Sequence, residues 1–253
     1  MTATILVTGG TGTLGRHVVP LLVNAGAKLR LLSRKTHESA DGIEYVTGDL
    51  LTGAGVAAAV DGVEVVLHLA GGPKGDDVAT QHLVDAAARA GVRHLVFISV
   101  IAADKIPLGY YKNKTAAERI VAASGVPWTI LRAAQFHDLA LTVLRTLAKL
   151  PVIPIPRGVR FQPVDSRDVA ARLVELTLAE PAGLVPNLAG PKVYEFGDVV
   201  RDYLRASGKR RLLIPVRWPG KTGKLYRAGA NLTFDNTQQG RRTWEEFLAE
   251  RQG

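Results

Sequence analysis

A short apolar run, Thr4–Thr8, leads directly into Gly9-Gly10-Thr11-Gly12-Thr13-Leu14-Gly15, and a stretch with helical periodicity follows. The spacing Gly9-x-x-Gly12-x-x-Gly15 between a strand and a helix constrains this chain more than any other feature. The first glycine permits a tight turn. The second lets the backbone approach a pyrophosphate, and the third lets helix and strand pack closely. A helix that begins at such a turn presents free N–H groups and a partial positive charge to an anion. Thr11, Thr13 and Leu14 fill the intervening positions and are expected to line the same turn.

The rest of the chain repeats the alternation that this opening implies. Apolar, β-branched runs recur at 29–33, Ile43–Thr47, 63–69, 94–99, 128–131 and 184–188. Several are nearly continuous, as expected of strands buried on both faces. Helical stretches lie between them at 13–25, 76–90 and 110–124, followed by Gly26, Gly91 and Gly125 as left-handed caps. Pro20 is expected to kink the first helix. Strand and helix in alternation mean parallel pairing through right-handed crossovers. The expected fold class is therefore α/β, a doubly wound parallel sheet with a small C-terminal lobe over the substrate site. Residues 1–133 form the nucleotide-binding core in this reading. Residues 134–253 are a mixed part that completes the sheet and covers the site. Within that part, 138–150, 165–180 and Phe196–Ala206 read as helices. Asp165 is expected to cap the second of these, with Asp168 three residues on. Pro151, Pro154 and Pro156 read as a loop. Thr243 and Glu246 form a capping box for a last short helix.

The second strand bears on cofactor choice. A site selective for a free ribose 2′-hydroxyl usually places a carboxylate at that strand's end. Here the strand ends in Ser33-Arg34-Lys35, and no acid occurs before Glu38. Two cations at this point favour a 2′-phosphate, so the expected cofactor is NADP(H). Asp49 and Leu50 follow the third strand, where a carboxylate can accept from an adenine amino group. Ala70 and Gly71 follow the fourth, where small residues let a cofactor lie across the strand ends.

Together with Thr8-Gly-Gly-Thr-Gly-Thr-Leu-Gly15 and Gly48-Asp49-Leu50, three later segments carry a family resemblance. They are Tyr110-Tyr-Lys-Asn-Lys-Thr-Ala-Ala-Glu118, Ser124-Gly-Val-Pro-Trp-Thr-Ile-Leu-Arg132 and Val164-Asp-Ser-Arg-Asp-Val-Ala170. The chain resembles the short-chain dehydrogenase/reductase superfamily in its atypical, NmrA-like, NAD(P)-binding branch. Tyr110 and Lys114, four apart on a helix, share a face and match the superfamily's Tyr-x-x-x-Lys pattern. The resemblance implies that Lys114 reaches the cofactor ribose and Tyr110 donates a proton to a carbonyl. A nearby ammonium would favour the phenolate. Ser99 is the candidate third catalytic residue. The family's serine aligns nearer Val100, and the interval from Ser99 to Tyr110 is shorter than usual. The loop Gln135-Phe136-His137 is implied to face the substrate.

Composition narrows the function class. The 253 residues include no cysteine, which excludes disulfides, thiolate metal sites and a cysteine nucleophile. His17, His37, His68, His82 and His94 are scattered, so no metal site is expected. The formal charge is +9, and 201–227 holds nine basic residues and one acid, Asp202. This reads as a solvated basic lobe or as an anion-attracting rim. No signal sequence or ~18-residue apolar span is legible. The expectation is a cytoplasmic protein acting on a small molecule, with no nucleic-acid or membrane partner and with its oligomeric state open. It reads first as an NADPH-dependent reductase of a small carbonyl, quinone or enone. A non-catalytic NADP(H)-binding redox sensor is the second reading, motivated by the displaced serine. A nucleotide-sugar epimerase and a binding protein whose basic lobe meets an acidic partner are further options.

Overall fold

A computed structural model describes residues 3–39, 42–72 and 74–251. The first half alternates as the sequence implies: β1 (Thr4–Thr8), α1 (Gly15–Asn24), β2 (Lys28–Ser33), β3 (Ile43–Thr47), α2 (Val56–Val60), β4 (Val65–His68), α3 (Asp76–Arg89), β5 (His94–Val100), α4 (Gly109–Ala122) and β6 (Trp128–Ala133). The second half is less regular. It contains α5 (His137–Leu147), β7 (Val152–Pro156), β8 (Arg160–Phe161), α6 (Ser166–Leu178), β9 (Gly183–Leu184), β10 (Asn187–Ala189), β11 (Tyr194–Glu195) and α7 (Phe196–Ala206). β12 (Leu212–Val216), α8 (Gly220–Arg227), β13 (Thr237–Gln239) and α9 (Trp244–Ala249) complete it.

The main sheet runs β3-β2-β1-β4-β5-β6-β10-β13, with β9 also on β6, and every pairing is parallel. This is the doubly wound order, and the strand sequence reverses between β1 and β4. Ligands bind in such sheets at the carboxyl ends of the strands flanking the reversal. β5 is buried along its whole length. Its Val96, Ile98 and Val100 pack beneath α1 and α6, whereas Leu95 and Phe97 pack beneath α2, α3 and α4. Burying each such Leu, Ile or Phe contributes roughly 1.5–3 kcal/mol. Gly26, Gly91 and Gly125 take φ of +77°, +70° and +74°, the left-handed caps read from the sequence. α1 continues through Pro20.

Residues beyond 133 divide in two. α6, β9, β10 and β13 join the sheet. α5, α7, α9 and β7 enclose a separate core around Trp244, Phe247 and Tyr203. The run 184–188 is not one strand: Pro186 lacks the N–H a ladder needs, so β9 and β10 are separate pieces. The proline-rich 151–156 segment is not a loop. It forms β7, paired in parallel with β12. Leu212 N–H donates to Pro151 O and Arg157 N–H to Val216 O. Residues 152, 154 and 156 therefore point their backbone polar groups away from β12, and both prolines sit where no N–H is missed. Asp165 caps α6 by accepting from the Arg167 N–H at 2.8 Å. Asp168 is not a capping partner; it accepts from the N–H groups of Arg241 and Arg242 and pairs with the Arg242 guanidinium. The Thr243–Glu246 capping box is present.

Candidate functional site

The glycine turn is built as its spacing requires. Gly9 has φ +71°, and a Cβ there would lie 2.6 Å from the Ala70 nitrogen, so β1 and β4 close to a distance only glycine allows. At Gly15 a Cβ would lie 2.4 Å from the carbonyl oxygens of Gly9 and Gly10, which seats α1 directly on the turn. Gly12 differs. Its Cβ would meet only the Gly9 oxygen, at 3.2 Å, and the residue is exposed together with Thr11 and Thr13. α1 has no side-chain cap; the Arg16 N–H donates to Gly12 O at 3.0 Å, whereas the N–H groups of Thr11, Thr13, Leu14 and Gly15 have no acceptor among the described residues. Protein packing explains Gly9 and Gly15 but not Gly12. Leu14 corrects one expectation, because its side chain belongs to the core and only its backbone faces the turn.

Thr8, His68 and Thr80 brace the floor of this crevice. Thr80 Oγ1 donates to Asp76 O at 2.6 Å, so it accepts from His68 Nε2 at 3.2 Å. His68 Nδ1 then accepts from Thr8 Oγ1 at 2.7 Å, and Thr8 Oγ1 accepts from the Ala70 N–H at 3.2 Å. Burial, reinforced by the charge of Lys114, pushes the His68 pKa down to about 3, so the ring is neutral. Sequence reading left His68 unassigned; its place at the end of β4 was the available signal.

At the far end of β2, Ser33 Oγ accepts from the Lys35 N–H at 3.1 Å and lies 3.1 Å from His37 Nε2. Arg34 and Lys35 are exposed and have no ion-pair partner among the described residues. Asp49 Oδ1 accepts from the Leu51 N–H at 2.9 Å, closing a local turn. The Leu50 side chain is buried, and its carbonyl accepts from His82 at 2.8 Å.

Lys114 is buried. Its Nζ lies 3.0 Å from Asp76 Oδ2, 3.4 Å from Ile98 O and 4.9 Å above the Phe97 ring. It also lies 3.1 Å from where a Gly71 Cβ would be. Asp76 Oδ1 accepts from the Gly72 N–H at 2.6 Å, so one carboxylate fixes both the lysine and the loop after β4. Asp76 is a site residue the sequence reading missed; it registered only as the start of α3. The ammonium is engaged by Asp76, and Tyr110 is not drawn toward its phenolate. Burial first, then the charge of Asp76 and the neighbouring Tyr111, push the Tyr110 pKa up to about 12.

Ser99 is buried, and its hydroxyl has no hydrogen-bond partner among the described residues. Strand alternation places it on the Leu95 and Phe97 side of β5. Val100, not Ser99, lines a cavity of about 20 Å³ beyond the ends of β5 and β6, room for one water. Tyr111, Gln135, Phe161, Tyr226 and Asn231 also line it. Tyr111 Oη lies 3.0 Å from Tyr226 Oη, and Gln135 Nε2 donates to Tyr111 at 3.4 Å. Gln135 thus lines this cavity, and half-buried Phe136 follows it in sequence. His137 does not line it. It is fully buried against the Trp244 and Phe247 rings, with Nε2 3.1 Å from Pro163 O and Nδ1 3.8 Å from Asp165 Oδ2. Burial would raise the Asp165 pKa, but hydrogen bonds from the Arg167 guanidinium and backbone N–H, with the His137 ring nearby, hold it well below the usual carboxylate range.

Strand order, glycine turn and crevice define a dinucleotide-binding protein of the Rossmann type. A family model described as NAD(P)H-binding matches residues 9–180, and the chain belongs to that family. This agrees with the resemblance to atypical short-chain dehydrogenases/reductases. A (4-alkanoyl-5-oxo-2,5-dihydrofuran-3-yl)methyl phosphate reductase of Streptomyces griseus is 32% identical over 212 residues, covering 81% of this chain and 74% of the relative. Quinone oxidoreductase 2 of Escherichia coli is 27% identical over 218 residues, 81% and 75% of the two chains. Among solved structures, an NADPH complex of an NADPH-dependent quinone oxidoreductase from Escherichia coli superposes with a TM-score of 0.81. It is 20% identical, over 98% of this chain and 99% of that one.

Proposed function

We propose that the chain is an NADPH-dependent oxidoreductase that reduces a small carbonyl, quinone or enone. The crevice between Gly9 and Ala70, with exposed Gly12 at its lip and unpaired Arg34 and Lys35 at one end, carries this reading. Such a site fits a dinucleotide with a phosphorylated ribose. The backbone amides of Thr11, Thr13, Leu14 and Gly15 would hold the pyrophosphate, and the positive end of α1 would favour it. Arg34 and Lys35 would grip the 2′-phosphate, with Ser33 beside them. The free oxygen of Asp49 would accept from the adenine, beside Leu50, and Ala70 and Gly71 would let the cofactor cross the strand ends. Lys114, held by Asp76, would meet the ribose hydroxyls. The bound cofactor supplies hydride.

Tyr110 gives the proton. With a pKa near 12 it is a phenol across the physiological range, so it is in the donor form before each turnover. One observation favours a second donor: Tyr111, not Tyr110, lines the cavity, its hydroxyl 3.0 Å from that of Tyr226. Ser99 has no part in the Tyr111 version, because its side chain lies on the opposite face of β5 from Val100, which lines that cavity. The lobe beyond residue 134 covers the substrate, with Gln135 and Phe136 at the boundary.

Among the described residues no helix is long and apolar enough to cross a membrane. We place the protein in the cytoplasm. The names of its relatives as reductases support turnover over mere sensing. The test is consumption of NADPH with a panel of quinones, enones and aldehydes. Turnover of any one class supports a reductase. Tight binding of one redox form without turnover of any class would favour the sensor.

A further inference from the structure

The strand pair β7 and β12 leaves one face bare. Register places Val152 beside Leu212, Pro154 beside Ile214 and Pro156 beside Val216. Ile153, Ile155 and Leu213, on the opposite face, pack on the core of the lobe. The bare face is apolar throughout, with Leu212 62% exposed, Ile214 43% and Val152 and Val216 36% each. Contiguous exposed apolar surface of this kind marks an interaction site.

Charge identifies the partner. Lys149, Lys209 and Arg210 stand ahead of the two strands, and Arg157 and Arg217 follow them directly. All five are exposed, and none has an ion-pair partner among the described residues. The stretches 139–164 and 203–234, which contain both strands, hold twelve Lys and Arg and no Asp or Glu. The rest of the chain carries 20 basic residues against 23 acidic ones, so the basic balance of the protein resides here. An apolar plate with cations at both ends matches an anionic bilayer, whose headgroups take the charges while the acyl boundary takes the plate. A second copy fits poorly. It would bring like charges together, and Pro154, Pro156 and Pro215 occupy the outward-pointing backbone positions that an added strand would need.

We propose that the β7–β12 face is a peripheral docking surface for an anionic lipid bilayer. This departs from the sequence expectation of no membrane partner and is independent of the reductase reading. It also places the bilayer next to the small cavity beyond the ends of β5 and β6: Trp218, two residues after β12, stacks on Tyr226 of the cavity wall with ring centroids 5.2 Å apart.

The experiment is co-sedimentation of the full chain with vesicles of phosphatidylcholine alone and of equal parts phosphatidylcholine and phosphatidylglycerol. The proposal expects binding to the second only, weakening as salt rises. The double variant Leu212→Ser, Ile214→Ser and, separately, Lys209→Glu, Arg210→Glu should each lower the bound fraction about tenfold while NADPH affinity stays unchanged. Absence of binding, equal binding to neutral vesicles, or insensitivity to either variant overturns the proposal. So does a wild-type dimer that Leu212→Ser, Ile214→Ser converts to monomer, since the face would then join two copies. Retention on a soluble polyanion that the apolar variant leaves intact, without vesicle binding, would point to an acidic macromolecule and overturn it too.

Discussion

Gly12→Ala separates ligand from packing as the reason for a glycine. The backbone at Gly12 is not left-handed, and the new methyl would touch one protein atom, the Gly9 oxygen at 3.2 Å. Relief needs a shift of a few tenths of an ångström at an exposed turn. The stability cost is at most ~1 kcal/mol, or a melting shift of about 2–4 °C for a chain of this size. Binding is different. The methyl occupies the lip over which the pyrophosphate must pass to reach the α1 amides. Losing one such charge-assisted hydrogen bond costs roughly 1.5–3 kcal/mol, about 10- to 150-fold in affinity. Gly9→Ala provides the contrast. It combines a left-handed φ of +71° with backbone contacts of 2.6 and 2.8 Å to Ala70. Its cost is about 2–5 kcal/mol of stability. Thermal unfolding by circular dichroism and calorimetric titration with NADPH measure both quantities on both variants. A Gly12→Ala protein that melts normally and binds NADPH as tightly as wild type would refute the placement of the pyrophosphate.

Arg34→Ala should weaken NADPH by about 10- to 100-fold and leave NADH unchanged; equal losses for both would remove the 2′-phosphate assignment. Tyr110→Phe should lower kcat by roughly two to four orders of magnitude with little change in NADPH affinity, while Tyr111→Phe does so only if the cavity tyrosine is the donor. Full activity in both variants would leave the proton donor unassigned to either. His68 makes folding acid-sensitive. The unfolded ring takes a proton below about 6.5, whereas the folded ring resists until about 3. Stability is therefore intact above the unfolded value and is lost as pH falls from 6.5 toward 3, about 5 kcal/mol at the limit. His68→Gln should flatten the dependence of the urea midpoint on pH across that window, and an unchanged slope would contradict the account.

Much of the first half was legible in the residues because its signals are local. Strands buried on both faces read as continuous apolar runs, and glycine caps mark where three helices stop. The glycine turn could be placed because one motif fixes strand, turn and helix together. The second half resisted for physical reasons. β7 escaped because prolines argue against a strand, and only its pairing with β12, some sixty residues away, shows that their missing N–H groups point outward. His137 looked like a substrate contact because it follows β6. The first turn of α5 instead rotates it into a core supplied by Trp244 and Phe247, more than a hundred residues later. The charge state of Tyr110 was misread for the same kind of reason: Lys114 and Tyr110 are neighbours on α4, but Asp76, which engages the lysine, comes from α3. Tyr226 in the cavity wall likewise arrives from the far end of the chain, on a helix whose Gly and Lys content gives little sign of a buried face.

The most direct test of the central claim is a calorimetric titration of the purified protein with NADPH, NADP⁺, NADH and NAD⁺. The account predicts tight binding of the two phosphorylated forms, with the unphosphorylated pair weaker by at least about tenfold. Equal affinity across all four would contradict the role given to Arg34 and Lys35, and no binding to any would contradict the reading of the glycine crevice itself.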